Sequence, residues 1–184
     1  MGKKRTPQDP PILEWVESRT VRRQDELRIG DRLIATLRWH GWASTFAEGQ
    51  ARAGSWTFER PRLLSREVQV HVAGVEGPPV AVFQPGWTEE GTLSFSDGRT
   101  MRWQCRDFWQ TDWAFVDAAD RAVMHFRDTS GFLHERTAAW TYRAGLSEAD
   151  RAMLLILGRY LMVLQAQDRA AVAAACASCS AVVS

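Results

Sequence analysis

Cysteine is scarce: three residues in a chain of 184. An odd count at irregular spacing argues against a disulfide framework. Cys105 sits inside an alternating run and reads as a buried thiol. Cys176 and Cys179 form a C-x-x-C in an Ala/Ser-rich stretch, but with no second pair and no βαβ pattern, neither a zinc site nor a redox motif is expected. Excess charge of one sign is missing too. A net charge of +1 creates no global field to attract nucleic acid, so no nucleic-acid partner is expected. Long hydrophobic runs are absent, because a membrane span needs roughly 20 apolar residues and the longest stretch here is shorter. The basic opening MGKKRTPQDPP lacks an apolar h-region, so secretion is not expected. Gly2 and Thr6 fit the pattern M-G-x-x-x-[ST], which is too short and common to imply lipidation on its own.

Catalytic signatures are missing as well. The chain has no P-loop, no G-x-S-x-G and no G-x-G-x-x-G, the patterns that would point to phosphate, acyl or dinucleotide chemistry. His40, His71, His125 and His134 are not at metal-ligand spacing. The expectation is a non-enzymatic protein with no catalytic residues, no metal and no cofactor.

Tryptophan, by contrast, is plentiful, with nine residues. In a β protein, indoles usually serve as large core fillers, and a chain of this length can form one well-cored domain. The organising stretch is SEADRAMLLILGRYLMVLQ, Ser147 to Gln165. Ser147 can cap a helix, and Glu148 and Asp150 suit its positive N-terminal end. From Ala152 to Leu164 only Gly158 and Arg159 interrupt the apolar residues. Met153, Leu154, Leu155, Ile156 and Leu157 are consecutive and so point all round such a helix, which must be enclosed on every side, with Leu154, Leu155, Leu157, Leu161 and Leu164 as its expected core. Arg159 at its middle would be costly in lipid. It needs a carboxylate in the interior or a place near a wet mouth.

Ahead of this helix the chain reads as strands. Residues 1–11 form a polar, Pro-rich tail, and Ile12–Val16 is a short strand. Glu17–Arg28 shows no clear period and reads as loop or surface helix. Leu33, Ala35, Leu37 and Trp39 alternate with polar residues, and Trp42–Phe46 starts another short strand. Ser55–Arg60, Glu67–Val72 and Val80–Phe83 continue the series. Leu93 and Phe95 lead into Asp97-Gly98, a type I′ hairpin signal, and Met101, Trp103 and Cys105 return from it. Trp113 and Phe115, then Ala122–Phe126 after the turn Asp117–Asp120, then Phe132–Arg143, complete the set. About eleven or twelve short strands spaced every 8–12 residues indicate a meandering antiparallel barrel or sandwich. A barrel wider than about eight strands has a lumen to fill. The fold expected is therefore a mostly β, about twelve-stranded antiparallel barrel enclosing a C-terminal hydrophobic α-helix. Residues 12–168 form that domain, and residues 169–184 form an Ala/Ser-rich tail.

The G-T-L-S-F-S-D-G-R-T-M-R-W hairpin (Gly91–Trp103), W-A-F-V-D-A-A-D-R-A-V-M (Trp113–Met124) and the closing L-L-I-L-G-R-Y-L-M-V-L helix together resemble the Tubby C-terminal-like superfamily. That group includes tubby-like proteins, phospholipid scramblases and the LURP-one-related proteins. The resemblance covers roughly residues 30–166. It implies a twelve-stranded barrel around a central helix, phosphoinositide binding as in the tubby-like members, or membrane association as in the scramblases. The nearest match to a tubby headgroup site is Arg60 and Arg62, followed by Arg66. Clustered guanidinium groups bind phosphate oxygens bidentately, whereas solvated loop arginines are the plainer reading. Asp107, Asp112, Asp117 and Asp120 are too dispersed for the scramblase calcium segment.

The function expected is a non-catalytic, cytoplasmic binding module, at most peripheral to a membrane. Its partner would be an anionic lipid surface, a phosphoinositide, or a protein; oligomeric state is open. Two alternatives remain. One is a scramblase-like protein inserting the Ser147–Gln165 helix. The other is a lipocalin-like carrier of a small apolar ligand, suggested by Gly54-Ser55-Trp56.

Overall fold

The computed structural model of the chain describes residues 13–18, 23–41, 45–61, 66–129, 136–141 and 146–182. The strands are β1 (Leu13–Glu17), β2 (Gln24–Ile29), β3 (Arg32–Trp39), β4 (Ala47–Ala51), β5 (Gly54–Glu59) and β6 (Val68–Val72). They continue with β7 (Ala81–Pro85), β8 (Gly91–Phe95), β9 (Thr100–Cys105), β10 (Asp112–Val116), β11 (Ala122–Asp128) and β12 (Arg136–Thr141). A single helix, α1 (Glu148–Val182), follows them. Each strand pairs antiparallel with its chain neighbours, and β1 pairs with β12 to close a twelve-stranded barrel.

Period-two alternation turns one side of each strand inward. Leu37 and Trp39 of β3, Trp56 and Phe58 of β5, Val68 and Val70 of β6, and Met101 and Trp103 of β9 are all buried. Trp103 stacks on Trp113 with ring centroids 5.3 Å apart. Five of the indoles, Trp15, Trp39, Trp56, Trp103 and Trp113, are core fillers.

α1 runs through the lumen. Ser147 Oγ accepts the Asp150 N–H at 3.0 Å and caps its first turn. Leu154, Leu155, Leu157, Leu161 and Leu164 are buried, with Ile156 and Tyr160 between them. Tyr160 stacks on Trp39 at 4.9 Å, and its hydroxyl donates to the Thr45 carbonyl. Burial pushes that phenol well above its ordinary range. The helix touches the wall where side chains vanish. A Cβ on Gly49 would stand 2.6 Å from Ile156, and one on Gly158 would fall inside the van der Waals surface of the Phe126 ring. Arg159 finds its partner inside: Nε donates to Asp25 Oδ2 and NH1 to Thr137 Oγ1, both at 3.0 Å.

The structure differs from the sequence reading at several points. Glu17–Arg28 contains a strand, β2, in place of loop or surface helix. Its alternation is hidden because one inward residue is Asp25, the partner of Arg159. The strand sought at Trp42–Phe46 begins only at Ala47, and positions 42–44 lie outside the described residues. At Asp97-Gly98 only Gly98 is left-handed (φ 87°). The Gly98 N–H bonds to the Phe95 carbonyl and the Phe95 N–H to the Arg99 carbonyl. This is a three-residue loop ending in a left-handed residue, not a two-residue type I′ turn. The helix continues to Val182, taking in Ala170–Ala177, a stretch that is also helix-compatible by sequence. Among the described residues no helix is long and apolar enough to cross a membrane.

Candidate functional site

Antiparallel meandering puts alternate connections at opposite ends of the barrel. The β8–β9 turn meets the start of α1, where Arg99 NH1 lies 2.9 Å from Asp150 Oδ2. The β5–β6, β7–β8 and β9–β10 connections meet α1 where it leaves the lumen. Polar groups collect at that exit. Arg60 clasps Asp168 of α1 through two hydrogen bonds of 3.1 and 2.8 Å. Gln165 Nε2 donates to the Glu89 carbonyl at 2.8 Å. Arg169 donates to Gln110 Oε1 at 2.7 Å and stands 3.5 Å from Glu89 Oε2. Burial pushes the Glu89 carboxyl above its ordinary range, against the opposing pull of Arg169 and Arg66.

The three arginines singled out from sequence therefore separate. Arg60 is committed to Asp168 across 108 residues of chain. Arg62 lies outside the described residues. Arg66 is exposed and makes no hydrogen bond or ion pair among the described residues, which leaves it available to an external anion.

The same end carries residues that sequence reasoning missed. Trp87 on the β7–β8 loop is 104% exposed, and Phe108 and Trp109 on the adjacent β9–β10 loop are 90% and 79% exposed. Their turn is stiff. The Asp107 carboxylate accepts the N–H groups of Thr111 and Asp112 at 2.9 and 3.0 Å and the Thr111 hydroxyl at 2.6 Å. Those bonds, the Thr111 hydroxyl foremost, hold the carboxyl below its ordinary range. Gln110 closes the loop at φ 57°, and the Trp113 indole donates to its carbonyl at 3.0 Å. Phe108 and Trp109 pack edge to face at 5.5 Å. The signal for these aromatics was their setting, Pro85-Gly86-Trp87 and Asp107-Phe108-Trp109-Gln110, among turn residues that break the strand period.

Elsewhere, polar side chains pair within the barrel wall. On the outer face of β10 and β11, His125 Nε2 lies 2.8 Å from Asp112 Oδ1, and Arg127 lies 2.6 Å from Asp112 Oδ2. Burial holds the imidazole below its ordinary range. The Cys105 thiol donates to the Asp107 carbonyl at 3.0 Å, and burial pushes its pKa up, away from the thiolate a nucleophile needs. Among the described residues no group of three or more His, Cys, Asp or Glu could hold a metal ion; His134 lies outside them. No family model, curated protein or solved structure matches the chain. Function has to be read from the barrel's own surface.

Proposed function

We propose that the protein is a non-catalytic binding module that engages anionic lipid headgroups at the end of the barrel where α1 leaves. The order of its elements, a closed twelve-stranded barrel followed by a central helix, is the ground for placing it beside the tubby-like, scramblase-like and LURP-one-related proteins. The filled lumen carries the reading. A carrier of the lipocalin kind needs an open interior, and here Met153 to Leu164 occupy it. Insertion of α1 into a bilayer, as a scramblase-like role would ask, would empty the barrel of its core. Binding therefore belongs to the outside.

At the exit end Arg66 is the available guanidinium, with the geometry to take phosphate oxygens bidentately. Arg60 serves a different purpose, fixing α1 to the β5–β6 connection through Asp168. The test is sedimentation with vesicles containing a phosphoinositide. Binding should fall as salt rises. Arg66→Ala should weaken it about fivefold, the worth of one basic residue near an anionic surface. Equal binding by Arg66→Ala and wild type would remove the headgroup assignment.

A further inference from the structure

The three exposed aromatics at the exit end lie outside the core. Large apolar side chains held fully in water mark interaction sites. Trp87, Phe108 and Trp109 sit on the β7–β8 and β9–β10 loops, which are neighbours because β8 pairs with β9. Phe108 and Trp109 touch each other edge to face at 5.5 Å.

The same end carries a polar cluster: Arg66, Glu89, Gln110, Asp168 and Arg169. Beyond Arg169 no charged residue occurs in α1 through Val182, and Ala170–Ala177 is exposed throughout. At about 1.5 Å per residue that uncharged segment is about 20 Å long. Along α1 the charged pair Asp168 and Arg169 thus gives way to small uncharged side chains, and exposed indole and phenyl rings stand on loops of the same barrel end. A bilayer has the same order from headgroup to acyl chain, and Trp favours that boundary because its ring is apolar and its N–H is polar. Among the described residues at this end, Arg60 is paired with Asp168 and Arg169 with Glu89.

We infer that Trp87, Phe108 and Trp109 insert into the interfacial layer of a lipid bilayer and anchor the barrel, exit end down. The inference rests on the reading of this end as the lipid-facing one, and adds an apolar contact that needs no anionic lipid. The experiment compares wild type, Arg66→Ala and the triple variant Trp87→Ser/Phe108→Ser/Trp109→Ser on two vesicle types: pure phosphatidylcholine at about 0.5 M salt, where charge is screened to within a few Å, and phosphoinositide-containing vesicles at low salt. Wild type should bind the neutral vesicles at high salt, and the triple variant should lose at least about tenfold in that partitioning. Because the three side chains are exposed, its thermal transition should match that of wild type. A double variant keeping aromatic character, Trp87→Phe/Trp109→Phe, should retain most of the binding.

Two results in which vesicle binding persists would overturn the insertion: wild type binding only the anionic vesicles and releasing them in salt, or the triple variant binding neutral vesicles as wild type does. In the first case the headgroup reading survives. Conversely, loss in the triple variant with no effect of Arg66→Ala on either vesicle would remove the headgroup reading and keep the insertion. No binding to either vesicle would overturn both and point the exposed aromatics at a protein.

Discussion

Arg159 is the residue at which charge enters the core, and its partners explain why the helix tolerates it. Its side chain is 7% exposed and that of Asp25 is 10% exposed, so both charges are largely removed from water. Desolvation of such a pair costs several kcal/mol per ion, recovered only when the geometry is good and the remaining donors are used. The 3.0 Å contacts to Asp25 and Thr137 meet that condition. The pair also ties the register of α1, since these contacts hold Arg159 beside β2 and β12. Arg159→Met leaves the Asp25 carboxylate buried and alone, and should lower stability by about 3–5 kcal/mol. Adding Asp25→Leu to Arg159→Met should recover much of that loss, because the orphaned charge is then gone. A double-mutant cycle by urea unfolding measures the coupling; additive effects of the two changes would show that they do not act as a pair.

Hairpin turns are the elements where charged side chains organise backbone. The β10–β11 turn is a worked case. Asp120 adopts φ 60° and closes the loop, while the Asp117 carboxylate accepts the N–H groups of Ala119 and Arg121 at 2.9 and 3.0 Å. Arg121 adds its guanidinium at 2.9 Å. The backbone and side-chain bonds from Arg121 lead in holding the Asp117 carboxyl down to about 2, against 3.8 ordinarily. A folded-state pKa below the unfolded one gives stability that is complete above 3.8 and disappears as pH falls to about 2. Asp117→Asn should therefore be less stable than wild type at pH 5 or above, with the gap closing across that window in urea melts taken at stepped pH. A gap that stays constant down to the lower limit would mean the carboxylate form is not what the turn holds. How legible an element was in the sequence depended on what its inward residues had to do. β5, β6, β8 and β9 face the lumen with aromatic or aliphatic residues, and their period-two pattern is plain. β2 hid because Asp25 faces inward to meet a residue that lies 134 positions away. β4 hid because its inward residues are Ala47 and Gly49, the glycine kept small by the approach of Ile156. α1 was the clearest element, since apolar residues all round a helix have one physical meaning. The exit end was the least legible: Arg60 looks free until Asp168 is brought to it, and no pattern tells which way an aromatic in a turn will point.

For the whole molecule, the governing fact is that a barrel of this strand number cannot fill itself. About eight strands give an interior that side chains can close, and wider barrels must enclose something else. Here twelve strands enclose α1. Trp39, Phe58 and Phe126 each pack against that helix: Tyr160 meets Trp39 and Phe58 at centroid distances of 4.9 and 5.4 Å, and Gly158 lies directly on Phe126. The wall and the helix are consequently one core, assembled from pieces that the chain completes last. The β1–β12 pairing that closes the sheet joins residues far apart in the chain, such as Trp15 and Thr137. A chain ended before Ser147 should therefore fail to fold, lacking a cooperative thermal transition and binding ANS as loosely packed states do. Leu157→Asp tests the same point within the full chain. Leu157 is wholly buried, and an unpaired carboxylate there costs several kcal/mol, which for a domain of this size should lower Tm by about 10 °C. Supplying α1 as a separate peptide to the shortened chain should restore the transition, because the barrel lacks a filling and not a connection. A shortened chain that melted cooperatively by itself, with native near-UV dichroism, would mean that the sheet closes on its own and that α1 is a passenger; the Arg159–Asp25 pair, the stacked Tyr160 and the missing side chains at Gly49 and Gly158 all speak for the opposite outcome.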